Sequence, residues 1–492
     1  METRIFPHRE LYAPGHFGNW YEVAGRFEMR DILAEAKWWG FNWYGDWFDT
    51  VNLTKEPHLS PVVSQCWLTK AIWESRKARF EEARRLGFKL DLLVTPNHVY
   101  ADQVSREIRA RDLSAKQAER RKIRFFGHLV CPSIPRARRI ILENYEELFS
   151  DLAKSSIRLD AVTYAAYDFG GCACRKCDPW IVTFAELCGE IHGIAAEYFP
   201  GVEMRFCCWW WDAKDHNLFA DWVDKHMPGK TGGMALWVKY SEDRPGSVPP
   251  GRLPKECREG YFIHIGYSDD RADNDVYGRW GPVVAPNRIP RTLETLENAR
   301  GEGFMAYSEG VFDDVNKAIL GGLSSGRFST VQEALEEYAR RYFEAEGRAV
   351  EEWAEWIRQW GKPGLVNLKK ARRVFNRLAS KTTGTWRLAH FASKLRLFEL
   401  NSRLEEKRTW TRKRLALVEA FLREREALQR KIYGLPPLHE PVFTAIVGEP
   451  RWYRELKALT TSSSRSASNS RKPRSMKART NHRKASRLKT QR

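Results

Sequence analysis

Residues 159–177 read LDAVTYAAYDFGGCACRKC and carry the clearest signal of architecture in the chain. The first half, from Leu159 to Tyr167, is an apolar run typical of a buried β-strand, and Gly170 with Gly171 ends it in a tight turn. Asp168 stands where the strand opens into that turn. A (β/α)8 barrel places its chemistry at this kind of position, on its C-terminal face. The stretch therefore predicts a barrel enzyme whose site depends on a carboxylate.

Outward from this stretch, short apolar runs alternate with amphipathic stretches between residues 9 and 323, a pattern typical of repeated βα units. We predict eight strands, over residues 10–12, 41–44, 89–95, 161–167, 202–209, 234–238, 261–265 and 304–307. Eight strands with intervening helices favour a closed barrel over an open doubly wound sheet. The predicted class is therefore α/β, a (β/α)8 TIM barrel over residues 1–325 that forms the catalytic domain.

After residue 323 the pattern changes to helix alone, with apolar residues at three- and four-residue spacing. We predict helices over 330–346, 349–360, 365–378 and 386–432, which together form an α-helical domain over residues 326–458. Residues 459–492 are predicted to be a disordered basic tail, because this Ser, Arg and Lys segment has few apolar side chains to bury.

The net charge of the 492 residues is +19, and much of it lies in the C-terminal tail. Residues 461–492 hold eleven Lys and Arg and no Asp or Glu, so the remainder carries +8. A weak, nonspecific nucleic-acid contact through the tail is one interpretation, and a solvated extension without function is the other. The basic charge alone does not indicate a nucleic-acid enzyme.

The N-terminus has no apolar signal region, and no later run is apolar and long enough for a transmembrane helix. We therefore expect a cytoplasmic protein without a membrane partner. Nine cysteines, an odd number, fit reduced thiols better than a disulfide framework. Phosphate-binding loops, nucleophile elbows and zinc-protease helices have no matching motif in the sequence.

The predicted strand ends combine carboxylates with aromatic rings, a mixture that suits a carbohydrate because rings cover sugar faces while polar groups bind hydroxyls. Glycoside hydrolysis typically needs two carboxyl groups, and Asp168 and Glu309 are the leading pair. Each could instead cap a turn or a helix. The residues predicted to bind substrate are Asp212, Asn97, His98, His264, Trp209, Trp211, Trp237 and Tyr307.

Cys172, Cys174 and Cys177 form a C-x-C-x2-C cluster directly after Asp168. Thiolates at this spacing can share a zinc ion whose fourth ligand comes from elsewhere, for example Cys131, His98 or a water. A set of packed thiols is the alternative. The reaction itself is predicted to require no cofactor, so a zinc ion here would be structural.

Three segments resemble a group of uncharacterised bacterial barrel proteins of glycoside-hydrolase-like type. They are Cys131-Pro132-Ser133, the stretch from Tyr167-Asp168 through the cysteines to Pro179-Trp180, and Tyr307-Ser308-Glu309-Gly310 with Asp314-x-Asn316-Lys317. That group is related to family 20 hexosaminidases and family 67 alpha-glucuronidases. The resemblance implies a (β/α)8 barrel and action on a glycan.

One position departs from the hexosaminidase pattern. Those sites carry an Asp-Glu pair after the fourth strand, in which the Glu is the acid, whereas Phe169 follows Asp168 here. Glu309 or Asp212 could supply the missing acid. The first hypothesis is thus a glycosidase acting on an oligosaccharide or glycoside substrate, and the alternative is a catalytically inactive carbohydrate-binding barrel protein.

Overall fold

The computed structural model describes residues 5–15, 19–48, 67–110, 129–166, 170–209, 211–237, 251–269, 280–407, 409–434 and 450–459. Within these ranges eight parallel strands form a closed barrel in which each strand pairs with the next and the last pairs with the first. The strands are β1 His8–Tyr12, β2 Trp43–Phe48, β3 Lys89–Val94, β4 Ala161–Ala165, β5 Glu203–Cys208, β6 Thr231–Trp237, β7 Arg258–His264 and β8 Gly303–Tyr307. The predicted (β/α)8 fold class is confirmed.

In the described residues a helix follows every strand except β6, and the apolar faces of these helices cover the outside of the barrel. In chain order the helices up to β8 are α1 Trp20–Val23, α2 Arg26–Trp39, α3 Trp67–Arg85, α4 Pro135–Lys154, α5 Trp180–Tyr198, α6 Ala213–His226 and α7 Arg288–Asn298. Those after it are α8 Asp314–Ser324, α9 Val331–Phe343, α10 Arg348–Arg358, α11 Leu368–Ala379, α12 Trp386–Glu406 and α13 Arg412–Leu428. A further helix spans 451–459. No helix in the described ranges is long and apolar enough to cross a membrane.

The barrel interior contains a buried charged layer. Glu10, Asp91 and Arg205 alternate with outward-facing residues on β1, β3 and β5, and they are all buried. Glu10 lies so close to β2 that a Cβ atom on Gly45 would come within 1.9 Å of its Oε1, so any larger residue there would displace the Glu10 carboxylate. Burial and the neighbouring Asp91 raise the pKa of Glu10 well above its usual range. Burial likewise raises the pKa of Asp91 to about 6.

Above this layer, toward the C-terminal ends of the strands, the interior becomes aromatic. Tyr12, Trp47, Phe262 and Tyr307 are buried in one cluster, against which the half-buried Trp209 packs. The ring of Tyr307 lies 5.8 Å from both the Tyr12 ring and the Phe262 ring. We call these five residues the aromatic floor, because they separate the charged layer from the C-terminal face.

The helical segment after α8 packs directly on the barrel. The indole N–H of Trp39 on α2 donates to the Tyr342 hydroxyl on α9 at 2.9 Å. The Arg387 guanidinium on α12 contacts the buried Asp314 carboxylate at 2.6 Å, and the Tyr338 hydroxyl donates to the same carboxylate at 2.7 Å. Burial alone would raise the pKa of Asp314, but Arg387 holds it below its usual range. Barrel and helices therefore share one continuous core.

Candidate functional site

Glu309 follows the last residue of β8 by two positions and lies at the C-terminal face of the barrel. Its side chain is 12% exposed, and its Oε1 lies 3.9 Å from Nε2 of His264, the last residue of β7. The neighbouring strands β7 and β8 pair His264 with Tyr307. Two of the residues predicted for the site, from segments 45 positions apart, therefore meet because their strands are adjacent in the ring.

A buried network fixes the backbone at Glu309. Its N–H donates to the Asp313 carboxylate at 2.9 Å, and the Ser308 hydroxyl donates to the same carboxylate at 2.8 Å. The Lys317 ammonium pairs with Asp313 at 2.7 Å and donates to the Gly310 carbonyl at 2.6 Å. Burial alone would lower the pKa of Lys317, but the Asp313 carboxylate offsets this and raises it. Lys317 is therefore charged at neutral pH.

The turn that follows Glu309 requires a glycine at position 310. Its φ of +143° is one that other residues rarely adopt, and a Cβ atom there would come within 2.3 Å of the Trp20 Cβ. The Trp20 N–H also donates to the Glu309 carbonyl at 3.2 Å. The chain after β8 can thus bring the Glu309 side chain to the face in a defined direction.

His264 has a defined tautomer. Its Nδ1 accepts from the Gly266 N–H at 3.1 Å, so the neutral imidazole carries its proton on Nε2, toward Glu309. The ring lies 4.4 Å from the Tyr267 ring and 4.6 Å from the Tyr307 ring. His264 can therefore donate to a carboxylate or to a ligand oxygen at this position.

The loop that follows His264 is held from two sides. The Arg288 guanidinium donates to the carbonyls of His264 at 3.1 Å and Tyr267 at 3.0 Å. The Asn316 amide donates to the carbonyls of Ile265 at 2.7 Å and Tyr267 at 3.0 Å. Neither side chain was predicted as a site residue, although Asn316 belongs to the segment that carries the family resemblance.

Asn97 and His98 follow β3 and are both buried. The Asn97 Oδ1 has no hydrogen-bond partner among the described residues, while its backbone carbonyl accepts from the Val130 N–H at 2.9 Å. The Nδ1 of His98 lies 3.4 Å from the Thr95 hydroxyl oxygen. A buried amide oxygen without a partner in this part of the structure is suited to a ligand hydroxyl.

Two other predicted substrate-binding residues, Trp211 and Asp212, make contacts that stabilise the fold. Trp211 is 2% exposed and packs against Phe184 and Phe219, with ring centroids 6.0 and 5.0 Å away. Asp212 is exposed and accepts from the Asp215 N–H at 2.9 Å, which forms the capping box of α6. The structure therefore places Trp211 in the core and uses Asp212 as a helix cap.

Trp209 and Tyr307 belong to the aromatic floor, so the structure brings both to the barrel mouth as predicted site residues. Asp168 lies outside the described residues, as does the side chain of Trp237. β4 ends at Ala165, three positions before Asp168, and β4 stands opposite β8 in the eight-membered ring. The floor residues Tyr12, Trp47 and Phe262 were missed, although inward alternation from Glu10, Gly45 and His264 would have revealed them.

Other acidic side chains in or after the described strands have structural partners. Arg76 pairs with the buried Asp46 at 3.2 Å. Asp269 accepts from the backbone N–H groups at the start of α7, including Arg288 at 2.8 Å. Asp313 and Asp314 pair with Lys317 and Arg387, as described above. Glu309, in contrast, faces His264 at the mouth.

Four cysteines meet beside the mouth. The Sγ atoms of Cys131, Cys172, Cys174 and Cys177 all lie within 4.8 Å of one another. Cys131 comes from the loop after β3 and the other three from the loop after β4. None of the four forms a disulfide. The sequence pattern identified three of them, and Cys131, one of several fourth partners considered, completes the group.

Comparison with known proteins identifies the architecture. No protein-family model matches the sequence, and no curated protein is significantly similar to it. A family 138 glycoside hydrolase that targets pectin rhamnogalacturonan II matches with a TM-score of 0.53 and 9% identity, over 93% of this chain and 67% of its own. The chain shares its fold with glycoside hydrolases.

Two further solved structures match at lower TM-scores. A mutant O-GlcNAc hydrolase from Thermobaculum terrenum has a TM-score of 0.43 and 9% identity, over 96% of this chain and 98% of its own. The family 20 modules of the pneumococcal exo-beta-D-N-acetylglucosaminidase StrH have a TM-score of 0.38 and 9% identity, over 77% and 98%. A closer relation to family 20 or family 67 stays a prediction.

Proposed function

We propose that this protein is a glycoside hydrolase whose paired carboxylates, Glu309 and Asp168, act at the C-terminal face of the barrel on an oligosaccharide or glycoside substrate. The observation that carries the proposal is the position of Glu309, a partly exposed carboxylate facing the Nε2 proton of His264. Its backbone is fixed by the Asp313 network, and aromatic rings lie beside it. This combination of an oriented carboxylate and ring surfaces suits glycosidic bond cleavage.

The division of labour follows from the surroundings of Glu309. A hydrogen bond from His264 would require the 3.9 Å gap between its Nε2 and Oε1 of Glu309 to close. Such a bond would stabilise the ionised form of Glu309, which favours a nucleophile or base over an acid. Asp168, which follows the last residue of β4 by three positions in the sequence, would then be the proton donor. A carboxyl separation of about 5–5.5 Å would give retention and one of about 6.5–9.5 Å inversion.

The substrate contacts follow the same geometry. Trp209 and Tyr307 would stack on a sugar ring, while Asn97, His98 and His264 would bind its hydroxyls. Asn97 is the strongest of these, since its buried Oδ1 lacks a partner among the described residues. A donor hydroxyl from the sugar would satisfy it.

The test is hydrolysis of a panel of aryl glycosides by the native protein, Glu309→Gln and Glu294→Gln. Glu294 is an exposed residue on α7 and serves as the matched control. We expect Glu309→Gln to lower kcat/KM by about 10²–10⁴-fold and Glu294→Gln to leave it unchanged, with equal melting temperatures. If Glu309→Gln hydrolyses glycosides with the same kcat/KM as the native protein, Glu309 has no catalytic role.

The alternative is a catalytically inactive carbohydrate-binding barrel protein. It is favoured by Phe169, which occupies the position where the resembling hexosaminidases carry their acid. Glycan-array binding separates the two hypotheses. Binding by the native protein without turnover of any bound glycan would support the alternative and exclude the hydrolase.

A further inference from the structure

The four cysteines occupy two separate loops that the barrel brings together. Cys131 Sγ lies 3.6 Å from Cys177 Sγ and 3.7 Å from Cys174 Sγ. Four sulfurs about 2.3 Å from a zinc ion at the corners of a tetrahedron would lie about 3.8 Å apart. A disulfide would instead place two sulfurs about 2.05 Å apart. The spacing therefore matches shared coordination of one ion and not a covalent pair.

The backbone holds these side chains in place without help from the thiols. In the second loop the Cys177 N–H donates to the Cys174 carbonyl at 2.8 Å, which closes a tight turn after Cys174. In the first loop the Cys131 N–H donates to the Ile108 carbonyl at 2.9 Å, and the Cys131 carbonyl accepts from the Ile134 N–H at 3.1 Å. Both halves of the cluster are thus pre-formed.

Burial and charge also fit a bound metal. Cys131, Cys172 and Cys177 are buried, while Cys174 is partly exposed and offers a route for an ion. Four thiolates around a divalent ion carry a net charge of about −2. Arg175 and Lys176 lie within the second loop itself. These cations would balance the excess negative charge.

We propose that Cys131, Cys172, Cys174 and Cys177 bind one structural zinc ion that joins the loops after β3 and β4. Four protein ligands leave no open position, so the ion would not take part in catalysis. Its effect on the mouth would pass through Asn97, whose carbonyl accepts from Val130, the residue before Cys131. This proposal does not depend on the proposed hydrolase activity.

The experiment is elemental analysis of the full chain purified under reducing conditions, with thiols counted in parallel. We expect about one zinc per chain in the native protein and in Cys257→Ser, and almost none in Cys131→Ser. Cys257 is the matched control because it is a free thiol outside the cluster. Native protein with fully reduced thiols but without zinc, or with iron in its place, would overturn the proposal.

A second measurement covers the case in which Cys131→Ser does not fold. Zinc is removed from the native protein by a chelator, and Co²⁺ is added while the visible spectrum is recorded. Cobalt held by four thiolates gives an intense tetrahedral spectrum, which zinc should displace at a ratio of about one per chain. An octahedral cobalt spectrum, or the absence of binding, would refute the site.

Discussion

Lys317→Met tests the network behind Glu309. Lys317 and Asp313 are both buried and pair at 2.7 Å. Removing one partner of such a pair typically costs about 3–5 kcal/mol, because the other charge stays buried without compensation. The Ser308 hydroxyl and the Glu309 N–H still donate to Asp313, which favours the lower end, about 3 kcal/mol. The Gly310 carbonyl loses its donor as well, which adds about 1 kcal/mol. We therefore expect a loss of about 4 kcal/mol.

The assay is urea unfolding followed by tryptophan fluorescence, with Lys369→Met as the control. Lys369 is exposed on α11, so its replacement should change the free energy of unfolding by less than about 0.5 kcal/mol. Adding Asp313→Asn to Lys317→Met should recover part of the loss, because the uncompensated charge is then gone.

The pH dependence supplies a separate signature. In Lys317→Met the pKa of Asp313 in the folded protein should lie above its unfolded value of about 3.9. The loss should therefore be fully present at neutral pH and shrink as the pH falls toward about 4. A loss of less than about 1 kcal/mol at pH 7, or one that does not change with pH, would refute the reasoning.

Three further predictions concern other parts of the molecule. Burial raises the pKa of Asp91 from 3.8 to about 6, so the folded protein favours the protonated carboxyl. The free energy of unfolding is therefore highest below about pH 4 and falls as the pH rises through about 6. Asp91→Asn should therefore stabilise the protein at pH 7 by about 3 kcal/mol and change it little at pH 4; an equal effect in urea unfolding at both values would contradict this. Trp209→Ala should weaken binding of a glycan ligand about tenfold in calorimetry, whereas Phe27→Ala, an exposed ring on α2, should not; equal affinities would remove Trp209 from the site. Deletion of residues 460–492 should lower the affinity for nucleic acid and flatten its salt dependence in filter binding; an unchanged affinity would exclude the tail as the contact.

The strand pattern could be predicted from sequence because parallel barrel strands are buried on both faces and therefore appear as continuous apolar runs. All eight predicted strands overlap the observed ones. β2 shows the largest offset, with 41–44 predicted and Trp43–Phe48 observed. Gly45 and Asp46 suggest a turn, but Gly45 makes room for Glu10, and Asp46 is neutralised by Arg76.

The helix predicted over 386–432 is in fact two helices, α12 and α13. Neither glycine nor proline marks the break between them. The signal is Thr411, whose hydroxyl accepts from the Arg414 N–H at 3.2 Å and caps α13. A threonine among charged residues is common within helices as well, so the pattern alone could not identify it.

The positions of candidate site residues could be predicted where they lie at strand ends, but not where packing determines the direction of the side chain. That Glu309 and His264 lie close together could be predicted because adjacent strands end side by side at one face, while their roles stay predictions. Trp209 and Trp211 look alike in sequence, yet Trp209 faces the mouth and Trp211 joins the core, because residues two apart diverge once the strand has ended. Cys131 is 41 positions from Cys172, so only the fold shows that they meet.

The contact between Asp314 and Arg387 bears on how this protein can be cut or recombined. A fragment ending at residue 325 would keep all eight strands of the barrel. The Asp314 carboxylate would lose both Arg387 and Tyr338, and the apolar surface around it would be exposed. Engineers who transplant the barrel, and any gene fusion that reuses it, must therefore carry the chain through at least α12 as a single inherited unit.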